Sequence, residues 1–197
     1  MHRGLPEGRH QVSVHPIEAE SYRIMASRVD LTHLDASCRA VVARVVHASA
    51  DLDYADSMHF DEGAVEAAVD ALGAGAPVVA DVEMVRAAVP SAVCFLPASA
   101  GDAPTRAAAG MREAARLYPH GAVVVVGCAP TALVEAIGLD WEPAVVIGLP
   151  VGFVGAAESK ALARASRHRT ITNVGEKGGS AVAAAATNAL RRLADAR

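Results

Sequence analysis

The sequence predicts an α/β protein in which a parallel sheet of five short strands is covered on both faces by helices. Two observations carry this. Hydrophobic residues make up 52% of the 197 positions while aromatics reach only 4%. The core must therefore be built from Ala, Val, Leu and Ile, small aliphatic side chains that let helices approach a buried sheet closely. Apolar runs rich in β-branched residues then alternate with helix-length segments, at 78–80, 92–95, 122–126, 144–147 and 170–172. Such alternation demands parallel strands joined by right-handed crossovers. One domain over residues 1–197 is expected, with the polar residues 1–14 as a frayed lead-in.

Taken in order, residues 16–28 have the spacing of a first helix, with Ile17, Ile24 and Met25 as its apolar contacts. Asp35 is the expected N-cap of a second helix running to about Ala50, whose buried stripe is Cys38, Val41, Val42 and Val45. At about 100° per residue, His47 falls nearly opposite that stripe, among Ala36, Ala40, Ala43 and Ala50. Alanines leave room for a flat ligand or another chain; a solvated histidine is the plainer alternative. The acidic residues Asp51, Asp53, Asp56, Asp61 and Glu62 read as a solvated linker, with Asp61 capping a helix that ends near Gly73. Their spacing matches no calcium loop. Gly75-Ala76-Pro77 turns the chain into the first strand, and Asp81 at that strand's carboxyl end reads as a cap for a helix from Val82. Thr105 is the expected N-cap of a helix to Tyr118, which puts Arg106 in its first turn. A cation there opposes the helix dipole and points to an anion nearby, against the alternative of a solvated arginine. Beyond the last strand, residues 175–180 lead into an alanine-rich helix with Ser180 as its cap.

The most informative stretch is Gly148-Leu149-Pro150-Val151-Gly152-Phe153-Val154-Gly155, directly after an apolar strand and before a helix. Ligands of parallel sheets bind beyond the carboxyl ends of the strands. Glycine lets a ligand approach the backbone closely. The loop lacks both the dinucleotide and the phosphate-loop spacings, so a tight strand-to-helix turn remains open as its role. A formal net charge of -4 argues against a nucleic-acid binder working through bulk charge. Cys38, Cys94 and Cys128 are odd in number and widely spaced, which fits neither a disulfide framework nor a zinc site and suits a reducing cytoplasm. Residues 122–139 are almost uncharged, but Gly127, Pro130 and Glu135 break them into strand, turn and helix, so no membrane span is expected.

Seven ordered motifs then stand out: Ile17-Glu18-Ala19-Glu20-Ser21-Tyr22; Arg44-Val45-Val46-His47-Ala48; Gly75-Ala76-Pro77 with Asp81 and Met84; Thr105-Arg106; Gly127-Cys128-Ala129-Pro130-Thr131-Ala132-Leu133; the loop from Gly148 to Lys160; and Gly178-Gly179-Ser180-Ala181 with Asn188. With them the chain resembles the precorrin-8X methylmutase family of cobalamin biosynthesis. The resemblance implies a three-layer flavodoxin-like fold with a five-stranded parallel sheet, and a homodimer. It implies a tetrapyrrole substrate and no metal or redox cofactor. The implied reaction moves a methyl group from C-11 to C-12 of the macrocycle. By the same resemblance His47 matches the acid-base histidine and Ser21 and Arg106 match substrate-binding residues. Gly152 and Phe153 would form one wall of the macrocycle pocket. A sigmatropic methyl shift needs a proton lent to the conjugated system and then recovered, which an imidazole does near neutral pH.

Two departures accompany the resemblance. Glu176-Lys177 stands before Gly178 where the family is arginine-rich, and Ala48-Ser49-Ala50 follows His47 where the family favours a cysteine and glycine. A non-catalytic tetrapyrrole carrier on the same fold is the rival reading. A nucleotide-binding α/β protein is a third, set back by the missing phosphate-loop spacing.

Overall fold

The computed structural model describes residues 15–197, so the expected lead-in lies outside the described residues. The elements follow as α1 (Pro16–Ala26), α2 (Ala36–Ser49), α3 (Tyr54–Ser57), β1 (Met58–Phe60), α4 (Ala64–Gly73), β2 (Val78–Ala80), α5 (Glu83–Ala88) and β3 (Ala92–Cys94). After them come α6 (Arg106–Leu117), β4 (Val123–Val126), α7 (Pro130–Gly138), β5 (Val145–Gly148), α8 (Ala156–Arg164), β6 (Thr170–Asn173) and α9 (Ser180–Asp195). The sheet order is β1-β6-β5-β4-β2-β3.

Five strands are parallel, as expected. The sixth, β1, pairs antiparallel with β6, His59 opposite Thr172. The sheet is therefore mixed and six-stranded, which corrects the five-stranded parallel expectation. Residues 58–60 hold one histidine and two apolar residues inside an acidic stretch, too short for any periodicity to show. Pairing with β6, and not local preference, makes them a strand.

Side-chain alternation builds the three layers. Val78, Ala80, Val123, Val125, Val145 and Ile147 enter one apolar cluster together with α2, α4 and α9. Val79, Val124, Val126 and Val146 point the other way, into a cluster with Met111, Leu133 and Trp141 from the side of α6 and α7. Alanine is what lets α9 lie deep: Ala183 and Ala186 are fully buried there, as are Val41, Val42 and Val45 of α2.

Local signals at the helix starts are partly borne out. Asp35 accepts from the backbone N–H groups of Ser37 and Cys38, and Thr105 from that of Ala108. Asp61 does not cap α4, whose N-cap is Gly63; its carboxylate instead accepts from Thr170 N and Oγ1 at 2.8 and 2.7 Å, tying the end of β1 to β6. Ser180 is the first residue of α9, and Gly179 occupies the cap position. Of the apolar contacts expected of α1, Met25 packs against the main core cluster, whereas Ile17 is 74% exposed, Ile24 lies partly open and the helix fully buries no residue.

Helix α2 ends on Ala50 in the left-handed region, φ 54° and ψ 22°. This is the end where the resembling family favours a glycine. An L side chain in that region costs about 1–2 kcal/mol. Ala50→Gly is expected to stabilise the chain by about 1 kcal/mol in urea unfolding, with no change in far-ultraviolet circular dichroism.

Candidate functional site

The strand order reverses between β2 and β4, the place where doubly wound sheets commonly take a ligand. Here an internal carboxylate fills it. Asp81, fully buried, accepts from the N–H groups of Gly127, Cys128 and Ala129 at 3.1, 2.9 and 2.8 Å. It caps the turn after β4 and not, as the sequence suggested, the helix after its own strand. Burial pushes its pKa up, and the three N–H bonds work against that rise.

The next wall is the loop between β5 and α8. Gly152 N donates to Glu176 O at 3.1 Å, and Gly179 N to Leu149 O at 2.8 Å, so this loop and the β6–α9 turn lie side by side. A side chain on Gly178 would run into the carbonyl oxygens of Leu149 and Pro150. Phe153 stands out of the loop, 91% exposed. Lys160 of α8 is fully buried, with Nζ donating to Asn173 Oδ1 at 3.0 Å and Lys177 O at 2.6 Å. Burial and the nearby Arg164 push its pKa down to about 8, against a smaller opposing pull from Glu176.

Lys177, one of the family departures, is engaged within the chain. Its Nζ lies 2.6 Å from both Asp51 Oδ2 and Asp53 Oδ2, and these carboxylates hold the ammonium well above the ordinary lysine range. The acidic linker is thus not simply solvated. It ties the segment just after α2 to the β6–α9 turn.

His47 lies in the last turn of α2, four residues before Asp51 of that linker. Its Nδ1 shares a hydrogen bond of 2.9 Å with Ser21 Oγ on α1. Tyr22 stacks on the imidazole with ring centroids 4.7 Å apart and planes 6° from parallel. Arg44 Nη1 donates to Glu18 Oε1 at 2.6 Å and to the Tyr22 hydroxyl at 3.3 Å. An open cavity of about 400 Å³ is lined by His15, Ile17, Glu18, Ser21, Arg44 and His47.

Arg106 opens α6, exposed, with Nε donating to Pro97 O at 2.6 Å. The anion anticipated for it is not supplied by the chain: among the described residues Arg106 forms no ion pair. Its neighbour Thr105 shares a 2.8 Å hydrogen bond with Thr131 in the first turn of α7, and a Cβ on Gly155 would touch Pro130 of the same turn. Of the residues singled out, Ser21 and His47 touch, Gly152 and Phe153 share one loop, and Arg106 stands across the head of α7 from that loop. Tyr22, Arg44 and Lys160 escaped sequence reasoning as site residues, although Tyr22 and Arg44 lie inside motifs already quoted.

Comparison with known proteins fits this geometry. The sequence model of the precorrin-8X methylmutase family matches residues 16–193. The chain belongs to that family. It is 43% identical to the cobalt-precorrin-8 methylmutase of Methanothermobacter thermautotrophicus, over 83% of this chain and 84% of that one. To the precorrin-8X methylmutase of Pseudomonas aeruginosa it is 39% identical, over 88% and 93%. The solved precorrin-8X methyl mutase of Thermus thermophilus superposes with a TM-score of 0.82 at 37% identity, covering 92% of this chain and 98% of that one. As a member of this methylmutase family, the chain is an isomerase of cobalamin biosynthesis.

Lys160 gives this wall a pH signature. In the unfolded chain a lysine titrates near about 10.4, against about 8 when folded. Between these values the unfolded state binds more protons, so the lysine's contribution to stability rises with pH. Cys38 and Cys94, pushed up to about 12 and about 11, act in the opposite direction above about pH 9, so a difference measurement is needed. The stability of the wild type minus that of Lys160→Met is expected to rise by about 2.5 kcal/mol from pH 8 to 10.5 in urea titrations. A flat difference would contradict the assignment.

Proposed function

We propose that the chain moves a methyl group from C-11 to C-12 of precorrin-8X to give hydrogenobyrinate, or of the cobalt form to give cobyrinate. The observation that carries the reading is the pairing of His47 with Ser21 at 2.9 Å at the edge of an open cavity. Relatives named for the metal-free and for the cobalt substrate match the chain over similar lengths, which supports either form.

In this reading Ser21 accepts from Nδ1–H, which leaves Nε2 as the nitrogen that works. The imidazolium lends its Nε2 proton to the conjugated macrocycle. The C-12 to methyl bond forms as the C-11 to methyl bond breaks, and Nε2 then takes the proton back. Reactant and product are isomers, so electrons balance without an oxidant or reductant. Arg106 meets a peripheral carboxylate of the substrate, for which its free guanidinium edge is suited. Gly152 and Phe153 face the macrocycle.

Incubation with precorrin-8X, followed by absorbance, is expected to show conversion to hydrogenobyrinate. His47→Ala is expected to lower kcat by about 10²-fold or more. A wild-type protein without turnover would overturn the reading; a His47→Ala protein with normal turnover would remove that residue from it.

The loop supports a homodimer as well. Phe153 and Val154 are 91% and 88% exposed, beside a half-exposed Val151, an apolar tip that a second copy would cover. Sedimentation equilibrium is expected to give twice the chain mass of 20.2 kDa. Phe153→Asp is expected to shift the equilibrium towards the monomer and to lower turnover with it.

A further inference from the structure

We propose that Tyr22 is a positioning residue for His47, holding the plane of the imidazole so that Nε2 is aimed at the substrate. The inference rests on the methylmutase reading of the same site.

A hydrogen bond at Nδ1 fixes one point of the ring. With Cβ tethered to α2, coupled rotation about χ1 and χ2 still tilts the ring plane and with it the direction of Nε2. A flat ring laid against the imidazole removes that freedom. Tyr22 lies in this position, with ring centroids 4.7 Å apart and planes 6° from parallel, a separation at which aromatic pairs attract. Ser21 and Tyr22 are adjacent in sequence, so one turn of α1 supplies both constraints.

Tyr22 is itself held. Its hydroxyl accepts from Arg44 Nη1 at 3.3 Å, and the same nitrogen donates to Glu18 Oε1 at 2.6 Å. Glu18 precedes Tyr22 by one helical turn, and Arg44 precedes His47 by three residues. The guanidinium therefore bridges the two helices next to the stack. It holds the hydroxyl end of the tyrosine while the ring face meets the imidazole. Arg192 lies further out, 4.0 Å from the same Glu18 oxygen.

The test compares Tyr22→Phe, which keeps the ring and loses the hydroxyl, with Tyr22→Leu, which keeps bulk and loses the ring. Two measurements are made on full-length protein: steady-state kinetics with precorrin-8X, and the proton resonance of His47 Cε1–H in the free protein, assigned by its loss in His47→Asn. The resonance is expected upfield in the wild type and Tyr22→Phe, from the ring current of the stacked aromatic, and moved downfield in Tyr22→Leu. Turnover is expected to fall about tenfold in kcat for Tyr22→Leu with KM nearly unchanged, and to fall clearly less for Tyr22→Phe, which keeps the ring face and loses only its tie to Arg44. An unmoved resonance or an unchanged kcat in Tyr22→Leu overturns the proposal. So does a rise in KM that accounts for the whole loss, or an equal loss in both variants. Absence of turnover in the wild type strikes the methylmutase reading alone, because the resonance still reports whether the ring holds the imidazole.

Discussion

Three backbone N–H groups at the head of α7 converge on one buried carboxylate, and the arrangement of the whole ligand end follows from it. A strand that ends in Gly127 and feeds a helix starting at Pro130 leaves Gly127, Cys128 and Ala129 without partners of their own. Each such donor left unsatisfied in the interior costs about 1–3 kcal/mol. Asp81 takes all three, and in doing so binds the end of β2 to the end of β4. The main-chain donors at the crevice where a doubly wound sheet commonly cradles a phosphate are thereby already taken by a carboxyl group. A nucleotide would have to displace it, which is a physical reason against the nucleotide-binding reading beyond the missing motifs.

The pieces that meet at the β6–α9 turn are fastened to each other by lysines. Lys160 holds the β6–α9 turn from below, giving up water to reach Asn173 and a main-chain carbonyl. Lys177 holds the same turn from outside by gripping Asp51 and Asp53, only a few residues beyond His47. The departure at Glu176-Lys177 is therefore an exchange of roles. Where the resembling family is arginine-rich, this chain spends its cation on joining the end of the histidine helix to the glycine wall. Among the described residues Arg106 is bonded through Nε alone, to a carbonyl, which leaves the rest of its guanidinium open for the role proposed for it.

Much of this was legible in the residues. Strands β2, β4 and β5 showed as apolar runs because both of their faces are buried. Asp35 and Thr105 showed as caps because their chemistry is local. The glycine loop showed as a strand-to-helix turn, and His47 stood out against alanines. What stayed hidden depends on distance along the chain. Strand β1 exists through its pairing with β6, more than a hundred residues away. Asp81 looked like a cap for the nearest helix because sequence cannot say which helix start folds back onto it. Lys160 sits in α8 where helical spacing gives no warning that the position is sealed. Ala50 gave no sign of its left-handed backbone beyond the family's preference for glycine near that point.

Helix α1 joins stability to function in a way that its amphipathic spacing conceals. It carries Ser21, yet none of its residues is buried, and Ile17 faces outward. The contacts that seat it on α2 include the Glu18 ion pair with Arg44, the Tyr22 stack and the Ser21 bond to His47. An element held by a few part-exposed contacts belongs to the low-stability end of a protein, where binding elements are commonly drawn from. The same contacts orient the histidine and anchor the helix. In the proposed reaction, the groups that order the helix are therefore also the groups that aim the proton.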